Sequence, residues 1–177
     1  NSFERFSESG ETVADYLSNP IWFIRNIGVK LVGAYGLAEL ADNIRFKSTD
    51  YSEAPIVRRN SLRVLHELLD EPDFTTYYTA LQDPYWETRT QALKNIADTA
   101  DSPNSVTETL TDSLINKQGV LIERNFEVQL GYAETLGRVG VHPGCVRAFT
   151  ALGNAANWLV RAQAAIAITH VSSRFPA

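Results

Sequence analysis

The residues with most chemistry to offer are arginines and tryptophans held at a fixed offset. Arg25, Arg89 and Arg161 each follow a tryptophan by three positions, and Trp22, Trp86 and Trp158 are all the tryptophans of the 177-residue chain. A guanidinium beside an indole could stack on bases and hold phosphates, or grip a partner's carboxylate. The alternative is structural: the arginines reach acceptors at helix starts (Asn19, Ser52, Asp83), and the tryptophans pack between helices. Other reactive types are scattered. His66, His142 and His170 match no metal-ligand spacing, no glycine-rich phosphate loop precedes a helix, and no nucleophile elbow surrounds a serine. Cys145 is the only cysteine, which rules out an internal disulfide or a multi-cysteine metal site. Asp83 or Glu87 beside Trp86 is a carboxylate against an aromatic wall, but a helix start accounts for Asp83. No catalytic residue, cofactor or metal ligand is assigned, and an enzyme is not expected.

The elements that must carry these residues are best seen in Asp83 to Ala97, DPYWETRTQALKNIA. Asp83 at the N-cap and Pro84 at the first helical position predict a helix start. Trp86, Ala92, Leu93 and Ile96 then recur at helical spacing as one apolar stripe. Four other segments align on Arg89, through Arg25, Arg58, Gln129 and Arg161, at intervals of 33, 31, 40 and 32. Bulky residues stand three before each anchor (Trp22, Pro55, Trp86, Phe126, Trp158), and aliphatic ones seven after it (Val32, Leu65, Ile96, Leu136, Ile168). Shorter amphipathic segments lie between: Glu11–Ser18, Leu37–Phe46, Asp73–Gln82, Ser105–Asn116 with a Ser105/Glu108 capping box, and Arg147–Leu152 after His142-Pro143-Gly144. The long interval is accounted for by a connection over Lys117–Arg124. No hairpin signal predicts a strand. Five helical pairs, about ten helices, predict an all-α right-handed superhelix over residues 1–177 as a single repeat domain.

The long segments resemble HEAT repeats, in particular short HEAT-like or phycobilisome-lyase-type repeats. The resemblance rests on Asn19-Pro20 with Trp22 to Arg25 and Val29 to Gly33, and on Asp83-Pro84 with Trp86, Arg89 and Ala92-Leu93. Phe126 to Val128 with Ala133, Leu136-Gly137 and Val139-Gly140, and Asn157 to Arg161 with Ala164-Ala165, complete it. It covers about Glu11 to His170 and implies an α-solenoid of about five HEAT-like helical pairs, an armadillo-like scaffold. The second repeat departs by lacking the aromatic, the fourth by carrying Gln129, and the fifth by ending in HVSSRFPA with no polar capping helix.

Charge then suggests a working surface. With the long helices taken as 20–34, 55–69, 84–97, 124–139 and 155–170, they hold ten basic and four acidic residues, whereas the rest of the chain holds six and seventeen. Positions one, five and eight after the anchor are expected on an exposed face, which in a HEAT stack lines the concave side. Lys30, Arg59, Arg63 and Lys94 fall there, with Glu67 placed to neutralise Arg63 in part. These four cations are the candidate site for an acidic peptide or protein segment, in a non-catalytic interaction scaffold. The alternative is nucleic-acid binding on the same face, resembling HEAT-like DNA glycosylases only generically; the net charge of −5 disfavours it. No apolar run approaches the ~20 residues that span a bilayer, so a soluble, cytoplasmic protein is expected. The lack of any methionine suggests a piece of a longer chain.

Overall fold

The computed structural model describes residues 12–99, 105–141 and 144–174. The His142-Pro143 break and Glu11, the expected start of the first helix, lie outside them. The elements in order are helix α1 (residues 12–18), α2 (Trp22–Tyr35), a 3-10 turn (Ala38–Leu40), α3 (Ala41–Thr49), α4 (Pro55–Leu68) and α5 (Phe74–Ala80). There follow α6 (Trp86–Ala97), α7 (Ser105–Leu114), α8 (Phe126–Val139), α9 (Val146–Gly153) and α10 (Trp158–Arg174). Short and long helices alternate as expected, and the described residues contain no strand, only an isolated antiparallel bridge between Ile115 and Leu121. That bridge closes the long connection into a tight loop. Gly119 turns it at φ +77°, a conformation that favours glycine, and the Asn116 Oδ1 accepts from the Gln118 and Val120 N–H groups.

Helix boundaries follow local chemistry, with two corrections. The second short helix starts at Ala41, after the 3-10 turn, and runs through Lys47 and Ser48 to Thr49, residues expected in a polar loop. Asp83 does not cap α6, which begins three residues later. Instead its carboxylate accepts the Tyr85 N–H at 2.8 Å, forming a turn ahead of the helix, and the Tyr85 carbonyl takes the first helical hydrogen bonds. Asp73 does cap α5, accepting from the Thr76 N–H at 3.1 Å. Gly36, at φ +62°, ends α2, and the Leu37 N–H reaches back to the Val32 carbonyl at 3.0 Å.

The chain divides into two compact units, residues 1–91 and 92–177, with the division inside α6. In the first, α4 packs against α2 and α3 around Val29, Val32, Ile44, Val57 and Leu65, all fully buried. In the second, α10 packs on α8 and α9, burying Val128, Leu136, Val160 and Ala164. The apolar stripe is therefore the core of each unit. The residue before the anchor shows this in four of the five copies: Val57, Thr88, Val128 and Val160 have no exposure, while Ile24 is partly buried.

Candidate functional site

The repeated arginines prove to be structural. Arg25, Arg89, Gln129 and Arg161 each donate to a backbone carbonyl six positions earlier, those of Asn19, Asp83, Glu123 and Ala155, at 2.7–2.8 Å. Arg58 does the same one residue nearer, to the Glu53 carbonyl, rather than reaching Ser52. Each anchor thus ties down the loop entering its own helix. In the first unit two of them also reach the following loop. Arg25 holds the Glu53 carboxylate bidentately (2.6 and 2.6 Å), and Arg58 holds Asp83 (2.6 and 2.9 Å). The Arg58–Asp83 pair is almost wholly buried, at 1% and 0% side-chain exposure, with the Arg58 guanidinium between the Tyr51 and Tyr85 rings. Burial pushes the Glu53 carboxyl upward, but the Arg25 hydrogen bond and the Ala54 N–H outweigh it and leave its pKa below the usual range. The same carboxylates hold the arginines above theirs. A guanidinium committed this way is not available to a ligand.

The four candidate cations fare differently. Lys30 and Lys94 are exposed, on the first and second unit respectively. Arg63 is bound by Glu67 at 2.6 Å, both side chains being about half exposed. Arg59 is half-buried and makes only a long contact to Asn60 Oδ1 at 3.4 Å; among the described residues no carboxylate pairs with it. The face expected through positions one, five and eight also splits. Position five is the outward row. Positions one and eight turn toward the next long helix, as the Asn60–Asn26 hydrogen bond (2.7 Å) and the contact between Gly33 and Val64 show.

Arg59 stands in a cleft that charge counting did not reveal. Trp22, Ala54, Pro55, Ile56, Arg59, Tyr85 and Glu87 line a cavity of about 420 Å³ in the first unit. Its walls come from the starts of successive long helices, where the repeat places its bulky residue, and a mostly apolar wall with a few polar groups is what a ligand site requires. The tryptophans were expected to be packing residues. Instead Trp22 is 48% and Trp158 66% exposed, with Phe126 at 41%. The reason is positional: a residue three before the anchor lies in the first helical turn, at the margin of the packed face, where Trp86 is half-buried and Trp22 forms a cleft wall. The period that found the column could not say which way it faced.

Among the described residues no cluster of His, Cys, Asp and Glu could hold a metal ion. Cys145 is buried, and burial raises its pKa to about 11, which keeps it a thiol. The His66 Nδ1 lies 2.8 Å from the hydroxyl of the buried Tyr77, whose pKa burial pushes up to about 12. No described helix is long and apolar enough to cross a membrane.

Comparison with known proteins places the fold. No protein-family model matches the chain, and a search of curated proteins finds no match. Among solved structures it is similar to the complex of CpcE and CpcF of phycocyanin lyase from Nostoc sp. PCC7120, at TM-score 0.69 and 17% identity over 92% of this chain. The match covers 65% of that structure's chain, so this sequence spans about two thirds of its length. The likeness establishes an all-α solenoid of HEAT-like helical pairs.

Proposed function

We propose that the protein is a non-catalytic interaction scaffold that receives an acidic segment of a partner protein on its first unit. The observation carrying this reading is Arg59, a cation with no carboxylate partner among the described residues, set in a mostly apolar cleft of Trp22, Pro55, Ile56 and Tyr85 with Glu87 at its wall. A segment with an Asp or Glu beside a bulky apolar residue suits that cleft: the carboxylate meets Arg59 and the apolar side chain fills the space between the rings. Lys30 adds positive potential on the same unit, and Arg63 adds more when it releases Glu67. Lys94, on the second unit, is a separate contact in this proposal. The matched phycocyanin lyase structure is itself a complex of two proteins, which supports a protein as the partner class.

The test is selection from a peptide library displayed on phage, with wild-type protein and the Arg59→Glu variant run in parallel. Wild type should enrich sequences pairing an acidic with a large apolar residue, and a synthetic peptide of that class should bind R59E at least about tenfold more weakly. Enrichment without acidic residues, or equal binding by R59E, overturns the reading. A short DNA or RNA duplex bound more tightly than any selected peptide, with affinity falling steeply in salt, would replace it with nucleic-acid binding.

A further inference from the structure

Helix α4 and the segment entering α6 bring opposite charges together twice, with opposite outcomes. Arg58 and Asp83 close on each other at 2.6 and 2.9 Å in the interior and cancel there. Arg59 and Glu87 are the next charged residues along the same two segments, and both line the cleft of about 420 Å³. They do not meet. Arg59 makes only the long contact to Asn60 Oδ1 at 3.4 Å, and Glu87 pairs with no group among the described residues. Both residues are half-buried. The rest of the lining is mostly apolar: Ala54, Pro55 and Ile56 at the start of α4, Tyr85 ahead of α6, and Trp22 on α2. One cleft therefore offers a cation and an anion, and neither is neutralised by the other.

A site of both signs is a poor match for a uniformly acidic segment. A second carboxylate brought near Glu87 would meet a like charge in partly dry surroundings, and a run of phosphates would meet the same repulsion. A lysine or arginine suits that wall. Glu87 takes its charge, and Tyr85, two residues earlier in the same wall, offers a ring to the alkyl stem and the cation. An occupant carrying both charges satisfies both half-buried groups at once, which no ligand of one sign does. Two fixed charges also set the register of the bound segment, as a single one cannot.

We propose that Glu87 determines specificity in this cleft, and that the partner segment carries a lysine or arginine at a fixed offset from the acidic residue that meets Arg59. This rests on the acidic-segment reading of the cleft and narrows it to a segment of mixed charge. Glu87 also stands in the first turn of α6, where a carboxylate suits the helix dipole. That second role acts on the fold of α6 and is indifferent to the charge of the peptide, so the two roles separate experimentally.

A double-mutant cycle makes that separation. A peptide selected by wild type is compared with a copy whose basic residue is glutamine, on wild-type protein and on Glu87→Gln, by fluorescence anisotropy, while helical circular dichroism checks the fold. Selected peptides should share a basic residue at one offset from the acidic one. Its replacement should weaken binding to wild type about fivefold and binding to E87Q by less than about twofold. Glu87→Lys should reverse the preference, favouring a copy with glutamate in that place. Selected peptides with no basic residue at a fixed offset, or a preference for it that survives in E87Q and E87K, overturn this inference and leave an R59E-sensitive acidic segment standing. Equal binding by R59E overturns both.

Discussion

The two units use one repeat and hold it together by different means. In the first, guanidinium–carboxylate pairs cross from one helical pair to the loop of the next: Arg25 to Glu53, Arg58 to Asp83, and Arg45 to Asp73 at 2.6 Å. In the second, the corresponding anchors Gln129 and Arg161 bond only carbonyls of their own entering loops, and long helices approach through small residues, Gly131 on Leu93 and Gly137 on Ala167. The ion pair Arg138–Asp98 of that unit lies in solvent, with 49% and 38% exposure. Surface chemistry divides in the same way: the first unit has a cleft with a cation in it, the second an apolar one lined by Val146, Phe149 and Ile168. The anchor position therefore requires a donor long enough to reach the loop, not a charge. Where a following loop offers a buried carboxylate, as at Glu53 and Asp83, the arginine also pairs with it.

Breaking the buried pair should give the largest effect. Asp83→Ala leaves the Arg58 guanidinium without its counter-charge in a site closed to water and should cost about 3–5 kcal/mol of unfolding free energy in urea titration. The corresponding cut in the second unit, Gln129→Ala, removes one neutral hydrogen bond and should cost only about 1–2 kcal/mol. Replacing both partners of the pair with apolar residues, Arg58→Met with Asp83→Leu, should recover most of the loss. If D83A and Q129A cost the same, the division between the units fails.

Close packing should show the opposite sensitivity. A Cβ on residue 137 would sit 2.9 Å from the Ala167 Cβ and 3.1 Å from its Cα, so the helix backbone itself must move, and Gly137→Val should cost about 1–3 kcal/mol. A Cβ on residue 33 meets the Val64 Cγ2 at 3.0 Å, a side chain that can shift, and alanine recovers about 1 kcal/mol of helix propensity. Gly33→Ala should therefore be near neutral. Thermal unfolding of the two variants side by side measures the contrast.

Acid sharpens it further. The pKa values of Glu53 and Asp73 are lowered in the fold: burial raises both, but hydrogen bonds from Arg25 and Arg45 and from nearby N–H groups prevail. The unfolded chain then binds these protons more readily. The stabilisation is complete above the ordinary values of 4.5 and 3.8 and is lost as pH falls through the lower folded ones. Amide exchange at stepped pH should show α2 and α4 losing protection below about pH 4.5, and Glu53→Gln should flatten that dependence.

What the sequence revealed and what it hid follow from one property of a repeat. Spacing located every long helix and the core stripe, because an apolar residue recurring at helical period has to be buried somewhere. It also indicated that the arginines were structural, since Asn19 and Asp83 stood in reach. Direction was harder. Trp22 and Val32 belong to equally regular columns, yet one is half exposed and the other buried, because a first-turn residue lies at the margin of the packed face. Asp83 looked like a helix cap because the dipeptide Asp-Pro carries that meaning locally. Its carboxylate is instead drawn into the interior by Arg58, 25 positions away, a partner that no local pattern identifies. The cleft around Arg59 needs Trp22, Pro55 and Tyr85 from three repeats, so no single helix shows it.

The smallest expected effect concerns the remaining candidate cations. Arg63 already spends its charge on Glu67, four residues on and in solvent, an arrangement worth only about 0.3–0.5 kcal/mol. Arg63→Glu should barely alter stability, yet it replaces a neutralised cation with an uncompensated anion beside Glu67. If an acidic segment reaches this part of the first unit, that change should weaken binding of a selected peptide less than Arg59→Glu does, and the loss should shrink as salt screens it. Lys94→Glu probes the second unit in isolation. It should leave binding of a peptide held by the first unit unchanged. Equal losses for R59E and R63E would move the binding site out of the cleft and onto the open row of position five, where exposure rather than shape would govern recognition.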